Sequence, residues 1–375
     1  QPISEDDFVM RMGGWMPIQI LGNKKSGENF VKSLENKQFT FSLVISYTET
    51  CEIPGITIAG ADKEFLKFTP PADSEYLNFG HCKSIDTIPM SPDGKPTPAL
   101  LTRVALDAAE ISHVVVNAGS KVEPKLPCFE TGLKHGKNIA EETAIDLQDV
   151  RNAVDYGKTI GSSLAALSDC LVIGESIPGG TTTALAVLNA FGINSNVSSS
   201  MPENPLDLKK QAVEKATQRI SSDDPFEIIS EVGDPMIATV AGMLIGASDI
   251  SKVILAGGTQ MTAVLLFAKQ LGYKQKNISI GTTQYIIDDT AAGFLDTVKK
   301  IDDIPVLVSD PKLDKSSIAG LKSYSEGFVK EGVGAGGSII AAVLKTGIDS
   351  DQFLKLVEEE YNRVLTLQWQ TLQDS

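Results

Sequence analysis

Residues Leu171-Val172-Ile173-Gly174-Glu175-Ser176-Ile177-Pro178-Gly179-Gly180-Thr181-Thr182-Thr183 read as a buried strand, a glycine turn and a helix start whose apolar face continues through Ala184, Leu185, Val187, Leu188 and Phe191. A helix start offers unpaired N–H groups and a partial positive charge, and glycines let a phosphate reach them. Thr181, Thr182 and Thr183 add hydroxyls where a Walker loop would carry Lys-Ser/Thr. Without that lysine the turn suits a monophosphate better than a nucleoside triphosphate. The helix dipole is worth only ~0.3–2 kcal/mol, so several N–H and hydroxyl bonds must act together. The competing reading is a capped helix after a tight turn.

Working outward, the same punctuation recurs. Runs at Phe41 to Ser46, Val114 to Asn117, Val253 to Ala256, Ile278 to Ile280 and Val306 to Val308 read as buried strands, each followed by turn residues. Helical spacing occupies Thr97 to Glu110, Val150 to Leu167, Thr182 to Phe191, Pro235 to Ala247 and Met261 to Leu271. Strand, glycine turn and helix in repetition predict an α/β fold. The expected form is a mainly parallel sheet with helices on both faces, a Rossmann-like three-layer arrangement. Ligands of such sheets bind beyond the carboxyl ends of the strands, where the turns enter the helices.

Residues 50–98, with Pro70-Pro71, Pro89, Pro92, Pro96 and Pro98, break the pattern and read as a long excursion over one end of the sheet. The segment Asp349 to Leu367 places Phe353, Leu354, Leu356, Val357, Tyr361, Val364 and Leu365 at helical spacing. An amphipathic helix needs a partner, and the expected one is the N-terminal part of the chain, with a subunit interface as the rival. The expected organisation is residues 1–38 as one segment of a small helical lobe, 39–345 as the nucleotide-binding catalytic domain, and 346–375 as the C-terminal helix of that lobe. Residues 1–25 carry little weight in this reading.

The 375 residues are 42% hydrophobic and 22% charged, as in ordinary globular proteins. With 33 Lys and Arg against 48 Asp and Glu, the formal charge of -15 disfavours nucleic acid as a partner. No apolar run approaches the ~20 residues that span a bilayer, so no membrane partner and a cytoplasmic location are expected. Cys51, Cys82, Cys128 and Cys170 lie far apart and read as buried thiols. His81, His113 and His135 are isolated, so neither a metal site nor a Ser-His-Asp mechanism is expected.

Three further constellations carry candidate chemistry. Lys330-Glu331-Gly332-Val333-Gly334-Ala335-Gly336-Gly337 formally matches G-x-G-x-x-G at Gly332, Gly334 and Gly337, but no convincing strand precedes it. What it offers is Glu331, a carboxylate at the mouth of a glycine turn that could accept a substrate proton; a salt-bridging glutamate is the plain alternative. Tyr285 to Gly293, with Asp288-Asp289, loosely resembles the two-acid loop by which phosphoribosyltransferases grip phosphoribosyl pyrophosphate. That chemistry would need Mg²⁺. The turns Val232-Gly233-Asp234-Pro235-Met236 and Ala256-Gly257-Gly258-Thr259-Gln260-Met261 both precede helices and should line the same sheet edge.

The strings GESIPGGTTT, VGDPM, AGGTQM and EGVGAGG occur in that order, with support from Cys51 to Gly60, Lys83-Ser84-Ile85-Asp86 and Val115 to Gly119. Together they resemble the archaeal branch of the nicotinate-nucleotide:dimethylbenzimidazole phosphoribosyltransferase family, over about residues 40–345. The resemblance implies transfer of phosphoribose from nicotinate mononucleotide to dimethylbenzimidazole or a related base, giving α-ribazole phosphate for the lower ligand of cobalamin. It implies no cofactor and no metal, small-molecule partners, and a homodimer. By motif it makes Glu331 the catalytic base. Glu175, Gly179, Gly180, Thr181, Thr182 and Lys210 become the phosphate and ribose site, with a one-residue ambiguity between Lys210 and Lys209. Gly233, Asp234, Gly257, Gly258, Thr259, Gln260, Gly332 and Gly334 become site-lining residues. Ala256-Gly257-Gly258 and Gly119 to Val122 depart from the bacterial pattern, so a non-catalytic mononucleotide-sensing protein on the same fold is the alternative.

Overall fold

The computed structural model describes residues 8–10, 14–57, 63–86, 89–90, 94–199, 201 and 203–374. Pro92 and Gly60, named above, lie outside the described residues, as do parts of the 1–25 segment and residue 375.

Nine strands among the described residues form one sheet: β1 (Phe8–Met10), β2 (Ile18–Gly22), β3 (Phe39–Ile45), β4 (Ser112–Asn117), β5 (Phe129–Glu130), β6 (Cys170–Ser176), β7 (Lys252–Ala256), β8 (Ile278–Thr283) and β9 (Pro305–Ser309). Their spatial order is β1-β2-β9-β8-β7-β6-β3-β4-β5. From β9 to β5 every pairing is parallel, whereas β1 with β2 and β2 with β9 are antiparallel.

Alternation along each central strand feeds two cores. Leu171 and Ile173 pack into one and Cys170 and Val172 into the other; Val253 and Leu255 oppose Ile254 and Ala256 in the same way. The first core is closed by helices that include Leu147–Ala165, Gly180–Ala190, Pro235–Ser248 and Thr259–Leu271, and the second by Lys24–Leu34, Thr69–Phe79, Ala99–Ala108 and Ala335–Thr346. This is the three-layer α/β arrangement that the strand and helix pattern predicts.

The described part of the excursion at 50–98 holds more regular structure than its prolines suggest. Pro70 and Pro71 stand in the first turn of helix Thr69–Phe79, where the missing N–H costs nothing, so they start a helix rather than break one.

The terminal segments pack on the main body of the fold. Residues 18–22 lengthen the sheet through β9, and helix Lys24–Leu34 buries Phe30, Val31 and Leu34 in the second core. The C-terminal helix Ser350–Asp374 sets Phe353, Val357, Tyr361 and Val364 into that core with Leu100, Leu101 and Val104 of helix Ala99–Ala108. The N-terminal segment meets the chain just before it, the Met16 N–H donating to the Ile348 carbonyl at 2.9 Å. Each apolar stripe thus finds its partner on the main body.

The connectivity locates the crevice. From β3 the chain moves outward through β4 and β5, returns to β6 on the other side of β3, and moves outward again through β7, β8 and β9. The switch point lies between β3 and β6, and the ligand cleft of such a sheet is expected beyond their carboxyl ends.

Candidate active site

The two lips of the cleft touch. The Ser46 N–H donates to the Ser176 carbonyl at 3.1 Å, and the turn after β6 passes against the turn after β3. Gly179 has φ +79°, and a Cβ there would meet the Cys51 nitrogen at 2.9 Å, so both the left-handed turn and the close approach require glycine. Cys51 is therefore a packed thiol behind the turn, and burial pushes it up to about 12.

Gly179 is the cap of helix Gly180–Ala190 and has no side chain to bind the first N–H groups. The Gly180 and Thr182 N–H groups turn back to the Ile177 and Gly179 carbonyls at 3.3 and 3.0 Å, and the turn lines the cleft with Gly179, Gly180 and Thr181. The three threonines divide. Thr181 lines the cleft. Thr182 is fully buried and its hydroxyl has no partner among the described residues. Thr183 donates to Asp234 Oδ2 at 2.6 Å.

Across from this turn stand Ser198, Ser199 and Lys209. Lys209 is 1% exposed and its Nζ donates to the Ser198 carbonyl and to Asn204 Oδ1, both at 3.1 Å. Burial, with the positive charge of Lys330, lowers it to about 8, against the pull of Asp289. Lys210 is exposed and lies outside the cleft. Adjacent helical residues point about 100° apart, so only one of the two lysines can face inward. Of the two, Lys209 lines the cleft.

The opposite end is built by the Lys330–Gly334 loop. Glu331 is half-buried and accepts from the Gly332 N–H at 3.1 Å, the Gly336 N–H at 3.1 Å and Thr282 Oγ1 at 3.4 Å. Burial raises its carboxyl to about 7, with those hydrogen bonds opposing the rise. The backbone around it is unusual: Val329, Lys330 and Val333 have φ of 62°, 65° and 53°. Left-handed conformation in residues other than glycine costs about 1–3 kcal/mol each and collects at functional sites. The glycines that follow serve packing. Gly334 caps helix Ala335–Thr346, and a Cβ on it would meet Gly174 at 3.0 Å; Gly336 and Gly337 rest on Thr282 and Ala256. Hence G-x-G-x-x-G here is a helix seated on β6, β7 and β8, which is why no strand precedes it.

Between the two ends lies Glu175, 4% exposed. Burial, then the charges of Asp234, Glu331 and Asp73, raise it to about 8, so at neutral pH it is mainly a protonated donor. Asp73 accepts from Thr97 Oγ1 at 2.7 Å and Ser176 Oγ at 2.8 Å and is itself raised to about 6 by burial.

The remaining candidates separate into walls and supports. Gly258, Gln260 and Gly332 line the cleft. Gly257 bonds back to the Gly281 carbonyl at 3.0 Å, and Thr259 accepts from the Ser198 N–H at 3.1 Å, orienting the serine. Gly233 closes helix Pro225–Val232, while Asp234 caps helix Pro235–Ser248 by accepting from the Ile237 N–H at 2.8 Å; neither lines the cleft. Of the Asp288-Asp289 pair, Asp288 accepts from Gln284 and Asp289 from Lys330, so they are not a joined two-acid grip. Among the described residues, no group of three or more His, Cys, Asp or Glu could hold a metal. Ser198 and Ser199 were not singled out from sequence; their only signal is a polar run after a helix and before the lysine pair.

A family model described as "Phosphoribosyltransferase" matches residues 101–284. A UPF0284 protein of Archaeoglobus fulgidus is 48% identical over 339 residues, covering 90% of this chain and 98% of that one. The chain belongs to the UPF0284 family. A UPF0284 protein of Saccharolobus solfataricus is 42% identical over 333 residues, covering 88% of this chain and 94% of that one. The fold of this UPF0284 protein is shared with the nicotinate-nucleotide-dimethylbenzimidazole phosphoribosyltransferase from Thermus thermophilus, at TM-score 0.61, 17% identity and 88% coverage of each chain. A second structure from that organism, named CobT, superposes at TM-score 0.60 and 17% identity, covering 88% of this chain and 89% of that one. Family model, relatives and fold together bear out the family resemblance carried by the four motifs.

Proposed function

We propose that this UPF0284 protein transfers phosphoribose from nicotinate mononucleotide to dimethylbenzimidazole or a related base. The observation that carries this reading is one cleft with a glycine-capped helix start and a buried lysine at one end and, at the other, a carboxylate whose pKa burial raises to about 7.

The helix start at Gly179–Thr181, with Ser198, Ser199 and Lys209, holds the 5′-phosphate. Protonated Glu175 lies where it can donate to a ribose hydroxyl. At the far end one ring nitrogen of the base attacks the anomeric carbon while Glu331 takes the proton from the other. The carbon–nitrogen bond to the pyridinium breaks, its electron pair returns to the ring, and nicotinate leaves with a neutral ring nitrogen. Attack from the opposite face converts β to α. A base with a pKa near the working pH combines availability with driving force, and about 7 meets that condition. The family resemblance also supports a homodimer as the working unit, which sedimentation velocity tests.

The decisive experiment is incubation with nicotinate mononucleotide and a panel of benzimidazoles, following free nicotinate. Release that depends on the added base supports transfer. Tight nucleotide binding by calorimetry with no release under any base would leave a binding protein and sink the enzymatic reading.

A further inference from the structure

We infer that Asp289 is a positioning residue for Glu331, acting through Lys330; this rests on the transfer reading above. Asp289 follows the short helix Gln284–Asp288 and is one of the two acids whose spacing suggested a metal-bound pyrophosphate grip. The structure gives it other work. Its Oδ2 accepts from Lys330 Nζ at 2.7 Å, with the two side chains only 12% and 7% exposed. The Lys330 carbonyl in turn accepts from Thr283 Oγ1 at 2.7 Å. Lys330 is thereby held by its side chain and by its main chain, and both anchors hang from β8 and the turn that follows it.

The next residue is Glu331. Its carboxylate meets the Gly332 and Gly336 N–H groups only because the chain keeps positive φ at Val329, Lys330 and Val333. No local preference of valine or lysine supports that path, so distant contacts must impose it. A buried ion pair suits this role: separating it leaves an uncompensated charge, and the geometry is accordingly stiff. The same Asp289 acts electrostatically on Lys209, so one carboxylate bears on both ends of the cleft.

The test compares Asp289→Asn, Asp289→Glu and the apolar pair Asp289→Leu with Lys330→Met, using nicotinate mononucleotide and dimethylbenzimidazole. Asp289→Asn should lower kcat by ~10–100-fold, the scale of a catalytic group misplaced by about an ångström, while KM for the mononucleotide rises by a smaller factor through the lost pull on Lys209. Asp289→Glu should recover most of the loss. The apolar pair, which leaves no buried charge, should fold and show the same fall in kcat, so a folding failure of Asp289→Asn does not block the test. Hydrogen exchange of the Gly332–Gly336 amides should be faster in Asp289→Asn than in the parent protein, a readout independent of turnover. If the parent protein shows no turnover, the transfer reading fails, and the exchange rates still decide whether Asp289 holds this loop. Unchanged exchange, or a kcat equal to that of the parent protein with only a lower melting temperature, would overturn the proposal.

Discussion

The Val333 N–H donates to the carbonyl oxygen of Glu175 at 3.0 Å. This bond ties the loop that carries Glu331 to the end of β6, so the two raised carboxyls are held from one short backbone contact. Displacing either loop moves both acids.

Replacing Glu331 separates chemistry from binding. Glu331→Gln should lower kcat by ~10²–10⁴, the usual worth of general-base catalysis. Mononucleotide affinity should stay near that of the parent protein, because the phosphate end is across the cleft. Steady-state kinetics beside calorimetry check both; an unaffected kcat removes Glu331 from its role.

Lys209 and Lys210 make a paired control. Lys209→Ala should weaken mononucleotide binding by ~10–100-fold, equivalent to a lost hydrogen bond to a charged group. Lys210→Ala should leave it unchanged, since that side chain is exposed and outside the cleft. Titration calorimetry of the two variants is the measurement.

The pH profile of kcat/KM should be a narrow bell. Glu331 must lose its proton to act as base, so the rate rises through about 7. Lys209 must keep its proton to attract phosphate, so the rate falls above about 8. These limbs belong to the free enzyme. Glu331→Gln should abolish the acid limb in whatever activity remains.

Stability should carry the opposite mark of Glu175. Its folded pKa of about 8 lies above the ordinary 4.5, so the folded state binds more protons between those values. The stability it contributes is complete below about 4.5 and is lost as pH rises through about 8. Glu175→Gln, which keeps the shape without the charge, should therefore melt higher than the parent protein at pH 8.5. At pH 4.5 it should show no such gain. Thermal denaturation at the two pH values checks this.

Gly336→Ala should damage both fold and chemistry. A Cβ there would collide with the backbone of Thr282, and overpacking of this kind costs about 1–3 kcal/mol. Gly336 also supplies an N–H to Glu331, so kcat should fall along with the melting temperature.

The six buried strands, the glycine turn and the amphipathic C-terminal helix were legible because burial on both faces leaves continuous aliphatic runs and a stripe leaves 3.6-residue spacing. β2 was not, since Ile18–Gly22 is a short antiparallel strand between β1 and β9 in a segment given little weight, and β5 is two exposed residues. Helix Thr69–Phe79 was hidden by its opening Pro70-Pro71, which look like a break until they are placed in the first turn. In the site, Glu175, Gly179 and Glu331 could be named because turns punctuate sequence. The choice of Lys209 over Lys210 depends on helix phase, and the roles of Ser198 and Asp289 depend on partners some 60 and 40 residues away, at Thr259 and Lys330. No local pattern encodes those distances.

The placement of β3 between β4 and β6 has a consequence for biosynthesis. Ser46 meets Ser176, so about 130 residues beyond Ser46 must leave the ribosome before the cleft has two lips, and the chain must reach Gly336 before Glu331 is held. Until then β3 has one central edge open to other strands. A nascent chain halted between β5 and β6 is thus the form of this protein most exposed to mispairing and most in need of a chaperone.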